Sequence, residues 1–295
     1  MTNLIAILIN AVVLGSIYGL VAIGMTLIYG ILRVLDMSQG SMVMAGGFIG
    51  WGIMYSAQLG PVVAILVAFG ITFLLGVATQ LVSVQPLLGR GGVDFEMITF
   101  ITTFAVAIIL ENVALQVFGP RQRNVPAVVG GTVNVYHGVS LPWQSIVMAL
   151  VAIALMLLFG LVLTKSRYGM AIRSVAQDYD AARLMGVPIR RMFPIVMGVA
   201  SALAGIAGVF LGSQYFASPT AGELPLLEAL IVVIFGGLGS LPGTIYAAYA
   251  IGLIQAAVSV LIATTWSLPI LYAVIIVILL VRPHGLAGKP SEARL

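Results

Sequence analysis

The sequence predicts an all-α polytopic membrane protein with about 8–9 transmembrane helices, some of them short or broken. Of the 295 residues, 61% are hydrophobic and only 7% are charged, whereas soluble domains carry about 25% charged residues. Long apolar runs also recur along the whole chain, and a soluble fold of this size has no interior that could hide them. We therefore expect a single transmembrane domain over residues 1–295.

The first half of the chain predicts four apolar helices and one polar connection. The helical runs are Leu4–Leu32, Ser41–Tyr55, Pro61–Val84 and Glu96–Phe118. Residues 119–142 follow as a polar segment, which we expect to lie outside the membrane on the extracytoplasmic side. The alternating pattern at its centre, residues 132–138, predicts a small β-hairpin.

The second half alternates full-length and short apolar runs. Gln144–Thr164 is the fifth crossing and precedes a polar segment at residues 165–191. After that segment, Met192–Gly212 and Thr244–Ile262 are long enough to cross a membrane. Pro225–Phe235 and Pro269–Val281 are shorter than the roughly 20 residues that a crossing needs.

The polar segment 165–191 holds six of the thirteen Lys and Arg residues. A segment of this length and polarity cannot lie in hydrocarbon, so it faces water on one side of the membrane. If that side is the cytoplasm, eleven of the thirteen basic residues lie inside and only Arg121 and Arg123 lie outside. This distribution agrees with the positive-inside rule and predicts a cytoplasmic C-terminus.

Start and stop signals predict a short helix within the polar segment, with Asp178 at its beginning and Gly186 just past its end. We interpret this helix as a docking element for a partner protein. The alternative is a solvated loop whose basic residues only fix topology. The predicted docking residues are Arg173, Asp178, Asp180, Ala181, Ala182, Arg183, Met185 and Gly186.

Three carboxylates fall near membrane depth, where a charge is costly and points to function. Asp36 follows the first helix and is expected either to be solvated or to cap the next helix. Glu111, followed by Asn112, has a structural or a transport role, and the sequence favours neither. Glu228 lies one turn after Pro225, where the helix dipole alone favours a negative charge.

The glycine-rich segment 236–243 interrupts two apolar helices. Such a break is tolerated within a membrane only where the backbone is buried in protein or lines a cavity. The segment therefore borders a transport path, permits a close helix crossing, or does both. The path candidates are Asp36, Ser38, Gln39, Glu111, Asn112, Glu228, Gly236, Gly237 and Gly239.

Four stretches carry a resemblance to a known family. The polar segment contains GMAIRSVAQD (residues 169–178) and AARLMGV (residues 181–187), which resemble the cytoplasmic loop of ABC-importer permeases. The match is to LivH-type subunits of the branched-chain amino acid permease family. Residues 15–31, 236–245 and 282–286 also resemble that family's first helix, glycine motif and C-terminal ending.

One stretch departs from the family pattern. Where the family usually shows Asn-Phe-Ala-His-Gly, this chain has Asp-Met-Ser-Gln-Gly at residues 36–40. Neutral Gln39 replaces the histidine, so no role that requires an imidazole is carried over to this position. The substrate stays open between branched-chain amino acids and related small polar solutes.

The resemblance implies a type II importer-like permease bundle in the bacterial inner membrane. It implies a second permease subunit, either LivM-like or a copy of this chain, and a periplasmic substrate-binding protein. Two separate ATPase subunits would bind ATP and Mg²⁺ and would dock on the cytoplasmic helix. This chain itself has no Walker A motif, so no cofactor is expected on it.

Two other classes compete with this interpretation. An ion-coupled secondary transporter or channel would need a coupling-ion site at mid-membrane, often between inverted repeats, and the sequence shows neither repeats nor paired charges there. An intramembrane enzyme is disfavoured because the chain has no cysteine and neither of its two histidines falls in a predicted span. We also expect no metal site and no nucleic-acid partner.

Overall fold

The computed structural model describes residues 2–88, 94–136, 139–281 and 285. Most of the described chain is helical, and the helices are numbered in chain order. They are α1 (Thr2–Leu32), α2 (Gln39–Trp51), α3 (Pro61–Thr79), α4 (Phe95–Phe118), α5 (Trp143–Lys165), α6 (Arg167–Gln177), α7 (Tyr179–Leu184), α8 (Ile189–Gln214), α9 (Glu223–Gly236), α10 (Leu241–Leu261) and α11 (Ser267–Val281).

Within the described ranges, six helices are long and apolar enough to cross a membrane. They are α1, α3, α4, α5, α8 and α10, and the shorter apolar helices α2, α9 and α11 complete the bundle. This arrangement confirms the predicted all-α polytopic membrane fold. Helices α1 and α8 form the centre of the bundle and are mostly buried, whereas α3, α4 and α5 expose most of their apolar surface.

The two ends of the bundle differ in structure. One end carries a two-stranded antiparallel hairpin, β1 (Thr132–Tyr136) and β2 (Val139–Pro142), and is called the hairpin end. The opposite end carries α6 and α7 and is called the loop end. The predicted hairpin is confirmed, although residues 137 and 138 of its turn lie outside the described residues.

Loops close the hairpin end around Arg123. Its backbone pairs with that of Ala217 through hydrogen bonds of 2.8 and 3.0 Å, which join the segments that follow α4 and α8. The Arg123 guanidinium donates to the Phe118 carbonyl at 2.9 Å and lies 4.9 Å from the centroid of the Trp51 ring. These contacts fix the last turns of α2, α4 and α8 relative to one another.

Close backbone contact joins α2 to the central helix α8. A Cβ on Gly46 would collide with the carbonyl oxygen of Gly205, and one on Gly208 would collide with that of Val43. Small residues at both surfaces therefore let the two helices touch, which is how helices pack in a membrane where burial from water supplies no driving force.

The α6–α7 segment follows the predicted docking region, but it contains one helix more than the sequence indicated. Helix α6 is amphipathic and buries Val175 against the bundle. Its Ser166 N-cap accepts a hydrogen bond from the Gly169 amide at 2.9 Å. The C-terminal stretch 282–286, apart from Gly285, lies outside the described residues.

Candidate translocation site

Two short helices begin inside the bundle and meet at their N-termini. Helix α2 runs from Gln39 to the hairpin end, and α9 runs from Glu223 to the loop end. A Cβ on Gly222 would collide with the carbonyl oxygen of Gly40, and one on Gly40 would lie 3.1 Å from the Cβ of Leu226. We call this contact the junction.

The junction lies at membrane depth. The Met37 amide donates to Thr103 Oγ1 at 3.3 Å, and Ser41 Oγ donates to the Ala107 carbonyl at 3.2 Å. Thr103 and Ala107 occupy the middle of α4, which crosses the whole bundle. Two helix N-termini, each with amides that lack intrahelical partners, therefore point at one place in the interior.

A buried polar turn leads into α2. Asp36 is only 1% exposed, and its Oδ1 accepts hydrogen bonds from the Ser38 amide at 2.9 Å and from Ser38 Oγ at 2.7 Å. Gln39 Nε2 lies 3.5 Å from Asp36 Oδ2. The solvated alternative for Asp36 is therefore wrong, because the chain turns back into the bundle after α1. The carboxylate orders the turn that starts α2.

An interhelical cavity of about 440 Å³ lies toward the hairpin end and is called the Glu228 cavity. Helices α1, α2, α8, α9 and α10 and the loops after α4 and α8 form its wall. Its polar and aromatic lining residues are Tyr18, Gln122, Tyr215, Phe216, Ser218, Thr220, Glu228 and Gln255, and Leu14, Ile17, Val43, Leu211 and Leu224 supply apolar surface.

Glu228 is buried at 7% exposure and is held by two other helices. Its Oε1 accepts hydrogen bonds from Tyr18 Oη at 3.0 Å and from Gln255 Nε2 at 3.4 Å. The residue lies in the second turn of α9, one turn further from the helix start than predicted, because α9 begins at Glu223. Tertiary hydrogen bonds, which the helix-dipole argument did not include, thus hold this carboxylate.

Tyr215 lies at the mouth of the same cavity, just after α8. Although the side chain is 56% exposed, partial loss of hydration raises the pKa of its phenol above the usual value, and the nearby Glu228 carboxylate adds to the rise. The phenol therefore stays protonated and neutral at physiological pH. It offers a polar wall that carries no charge.

A second cavity, of about 770 Å³, lies toward the loop end and is called the Arg33 cavity. Its lining includes Arg33, Arg173, Thr164, Gly239 and Tyr246, and none of the described lining residues is acidic.

The glycine segment after α9 combines the two roles that the sequence left open. Gly239 has a φ of 83° and borders the Arg33 cavity, and Gly237 has a φ of 95°. A Cβ on Gly236 would lie 2.7 Å from the backbone of Gly243, so α9 and α10 touch there. This segment therefore both lines a cavity and permits a close helix crossing.

The structure separates Glu111 and Asn112 from both cavities. They lie on the outward face of α4, where Glu111 is half-buried and Asn112 is exposed. Asn112 donates to the Ile108 carbonyl of its own helix at 2.8 Å. Glu223 lies close enough to Glu111 for their charges to repel.

The docking helix forms largely as predicted. Asp178 Oδ1 accepts from the Ala181 amide at 3.0 Å and starts α7, and Gly186 follows its end with a φ of 82°. Ala181, Arg183, Met185 and Gly186 are exposed. The side chain of Asp180 lies outside the described side chains.

Two of the predicted docking residues face their own chain. Ala182 is 4% exposed and packs among the apolar side chains beneath α7, so the prediction that it faces a partner is wrong. The reason is that α7 lies flat on the bundle and needs a small residue at its contact. Arg173 is exposed, but its guanidinium donates to the Thr164 carbonyl at 3.2 Å and borders the Arg33 cavity.

Sequence reasoning missed several residues at these sites. Tyr18 and Gln255 lie in uniformly apolar helices far from Glu228 in the chain, and no local pattern links them to it. Leu184 is 88% exposed beside Met185 at 84%. In the sequence, two adjacent apolar residues within a polar segment were a signal that could have pointed to Leu184.

The bundle, its broken helices and its two cavities define a membrane transport subunit, and comparison with known proteins identifies its family. A model of the family described as "Branched-chain amino acid transport system / permease component" matches residues 7–279. The chain belongs to this family. Its members are transport permeases, so the interpretation as a permease subunit is confirmed.

Curated relatives extend over almost the whole chain. The chain is 28% identical to the high-affinity branched-chain amino acid transport system permease protein BraD of Pseudomonas aeruginosa, over 98% of this chain and 97% of the relative. It is also 28% identical to the LivH permease protein of Escherichia coli, over 97% and 96%. A fructose import permease protein of Bifidobacterium longum is 23% identical over 94% of this chain and 78% of its own length.

Proposed function

We propose that this chain forms part of the solute pathway of an ABC importer for branched-chain amino acids or related small polar solutes. The observation that carries the proposal is the junction, where two half-length helices start at membrane depth in a bundle that has a cavity toward each end. Helix N-termini at such a break offer free amides to a passing solute without binding it as tightly as a charged cage. Relatives named for branched-chain amino acid transport support the substrate class.

The second permease subunit covers the outward face of α4 in this proposal. Glu111 is half-buried on a face that otherwise exposes Ile108, Ile109 and Leu115. A carboxylate at this depth is costly against lipid, so it favours a protein or a water-filled path as its neighbour. Because Glu223 at the junction lies close to Glu111, the second permease subunit would meet this chain beside the start of α9.

The transport proposal is tested in right-side-out membrane vesicles that contain this chain, a second permease subunit and two ATPase subunits. ATP is enclosed in the vesicles, and the binding protein is added outside. We expect leucine uptake that requires both ATP and this chain. Leucine uptake by this chain alone, driven by a proton or sodium gradient, would contradict the proposal and support the ion-coupled alternative.

The ATPase subunits dock on α7 in this proposal. Leu184 and Met185 project from the bundle, and Ala181 lets another surface approach the helix closely. Exposed apolar residues of this size at the water-facing end of a membrane bundle are typical of a protein contact. The docking end is then cytoplasmic and the hairpin end extracytoplasmic, as the distribution of basic residues predicts.

Leu184→Asp tests this docking surface. We expect the variant to lose co-purification with the ATPase subunits at unchanged membrane abundance, because an unpaired charge would have to be buried at the contact. Leu59→Asp is the matched control, since Leu59 is 49% exposed at the hairpin end. Equal ATPase recovery with both variants would contradict docking on α7.

A further inference from the structure

We propose that the Glu228 cavity binds the protonated amino group of an aliphatic solute, with Glu228 as the anionic partner. The inference rests on the proposed transport function, and it assigns the substrate chemistry to particular residues of this chain. It names a class of ligand: a primary ammonium group attached to a short apolar chain.

The two oxygens of Glu228 have different environments. Oε1 accepts both hydrogen bonds, from Tyr18 and from Gln255. Oε2 accepts none from the part of the chain that the structure describes, although Glu228 borders the cavity. A role confined to joining α1, α9 and α10 accounts for the contacts of Oε1 and leaves Oε2 available to a donor in the cavity. A donor inside the cavity would complete its coordination.

The surroundings of Glu228 select for a cation. No Lys or Arg is among the described residues that line the cavity. Gln255 also lines the cavity, and its Oε1 is buried without a hydrogen-bond partner among the described residues. A buried carboxylate without a cation is costly, and an ammonium group removes much of that cost while donating up to three hydrogen bonds.

The apolar residues of the cavity wall indicate the chemistry of the rest of the ligand. Leu14, Ile17, Val43, Leu211 and Leu224 line the cavity together with Phe216. A volume of about 440 Å³ is in the range of small-molecule sites. An unbranched or branched aliphatic group therefore fits beside the carboxylate. A carboxylate on the ligand has no basic partner here and would have to face the cavity mouth.

The first test measures binding to the purified full-length chain in detergent by isothermal titration calorimetry. The probes are 3-methylbutylamine, leucine and 4-methyl-2-oxopentanoate, which share an aliphatic chain and differ in the amino group. We expect the amine and leucine to bind and the oxo acid not to bind. Equal binding of the oxo acid would overturn the proposal, as would the absence of amine binding.

The matched variants are Glu228→Gln and Glu111→Gln. We expect Glu228→Gln to weaken amine binding at least tenfold, because the amide keeps the shape and loses the charge. Glu111→Gln removes a carboxylate from the outward face and should leave the affinity unchanged. Unchanged affinity in Glu228→Gln, or an equal loss in both variants, would overturn the assignment to this cavity.

A second measurement uses the unaltered protein and so does not depend on how Glu228→Gln folds. Dicyclohexylcarbodiimide reacts with carboxyl groups in apolar surroundings, and peptide mass spectrometry locates the product. We count two products, the N-acylurea and the amide that the amine forms with an activated carboxyl. We expect 3-methylbutylamine to raise the fraction of Glu228 that carries neither product and to leave Glu111 unprotected. Modification of Glu228 to the same extent with and without the amine would contradict the proposal.

The proposed function and this inference fail in different ways. Amine binding and carbodiimide protection concern this chain alone, whereas transport requires the whole importer and ATP. Protection without ATP-driven uptake would refute the transport proposal and leave the ammonium site standing. The opposite result would be ATP-driven leucine uptake that Glu228→Gln does not affect, in a protein that shows no amine protection. That result would refute the ammonium site and leave the transport proposal standing.

Discussion

The two cavities lie in one bundle and carry opposite charge. The Glu228 cavity has one buried carboxylate and no basic residue in its described lining, whereas the Arg33 cavity has two arginines and no acidic residue in its described lining. Arg33 and Arg173 are exposed, and in the proposed orientation they belong to the general excess of basic residues on the cytoplasmic side of membrane proteins. Glu228 is buried, and no topology rule places a carboxylate there.

The buried charge is a better guide to function than the exposed charges. An exposed arginine at a membrane edge is solvated and costs little, so it needs no ligand to explain it. A buried carboxylate has lost its hydration and requires compensation from specific partners. The acidic cavity therefore carries the stronger functional argument, and the basic cavity is accounted for by topology.

The largest expected effect is at the junction. Gly222→Ala adds a methyl group where a Cβ would collide with the Gly40 carbonyl oxygen. We expect loss of ATP-driven leucine uptake and a destabilisation of about 1–3 kcal/mol, as for overpacking in other cores. Uptake and the melting temperature of the purified chain are the measurements.

Gly70→Ala is the control for the junction variant. An added Cβ at Gly70 has no neighbour within 4 Å, and α3 is helical there. We expect full uptake and an unchanged or slightly raised melting temperature, since alanine favours the helix. Similar losses in both glycine variants would mean that the junction has no special role.

A second prediction compares the charges of the two cavities directly. We expect Glu228→Gln to lower leucine uptake about tenfold, equivalent to about 1.4 kcal/mol. Arg33→Gln should change uptake less than about twofold, because exposed charges contribute little to local energetics. The rate of uptake in vesicles at equal protein abundance measures both. A larger loss with Arg33→Gln would reverse the interpretation of the two cavities.

A smaller effect is expected from backbone strain at the Arg33 cavity. Gly239 has a φ of 83°, and a non-glycine residue in this region is strained by roughly 1–2 kcal/mol. We expect Gly239→Ala to lower the melting temperature by a few degrees while retaining some uptake. Gly160→Ala, at an open helical position that lines the same cavity, should show no loss.

The sequence predicted the features that depend on local pattern. Long apolar runs predicted the helices, alternation predicted the hairpin, and Asp178 with Gly186 predicted the limits of α7. The glycine segment was expected to border a transport path or to permit a close helix crossing, and the close crossing of α9 and α10 is confirmed. Each of these signals spans fewer than about 30 residues and acts through the backbone conformation or through burial in lipid.

Long-range contacts could not be predicted in this way. Tyr18 and Glu228 are 210 positions apart, and nothing near either residue specifies the other. Ala182 was placed on the wrong side of α7 because a six-residue helix has too few turns for a periodic pattern to identify its buried face. Apolar residues surround Glu111 in the sequence, and no local pattern showed that α4 turns the face with Glu111 outward.

The central claim is that the two cavities open to opposite sides of the membrane and belong to one pathway. The chain has no cysteine, so single cysteines can be labelled without background. Thr220 is exposed in the Glu228 cavity and Thr164 in the Arg33 cavity, which makes a matched pair of threonine substitutions. The most direct measurement labels Thr220→Cys and Thr164→Cys with a membrane-impermeant maleimide in intact cells and in inside-out vesicles.

We expect Thr220→Cys to be labelled in intact cells and Thr164→Cys only in inside-out vesicles. Labelling of both cysteines from the same side, or the reverse pattern, would contradict the account.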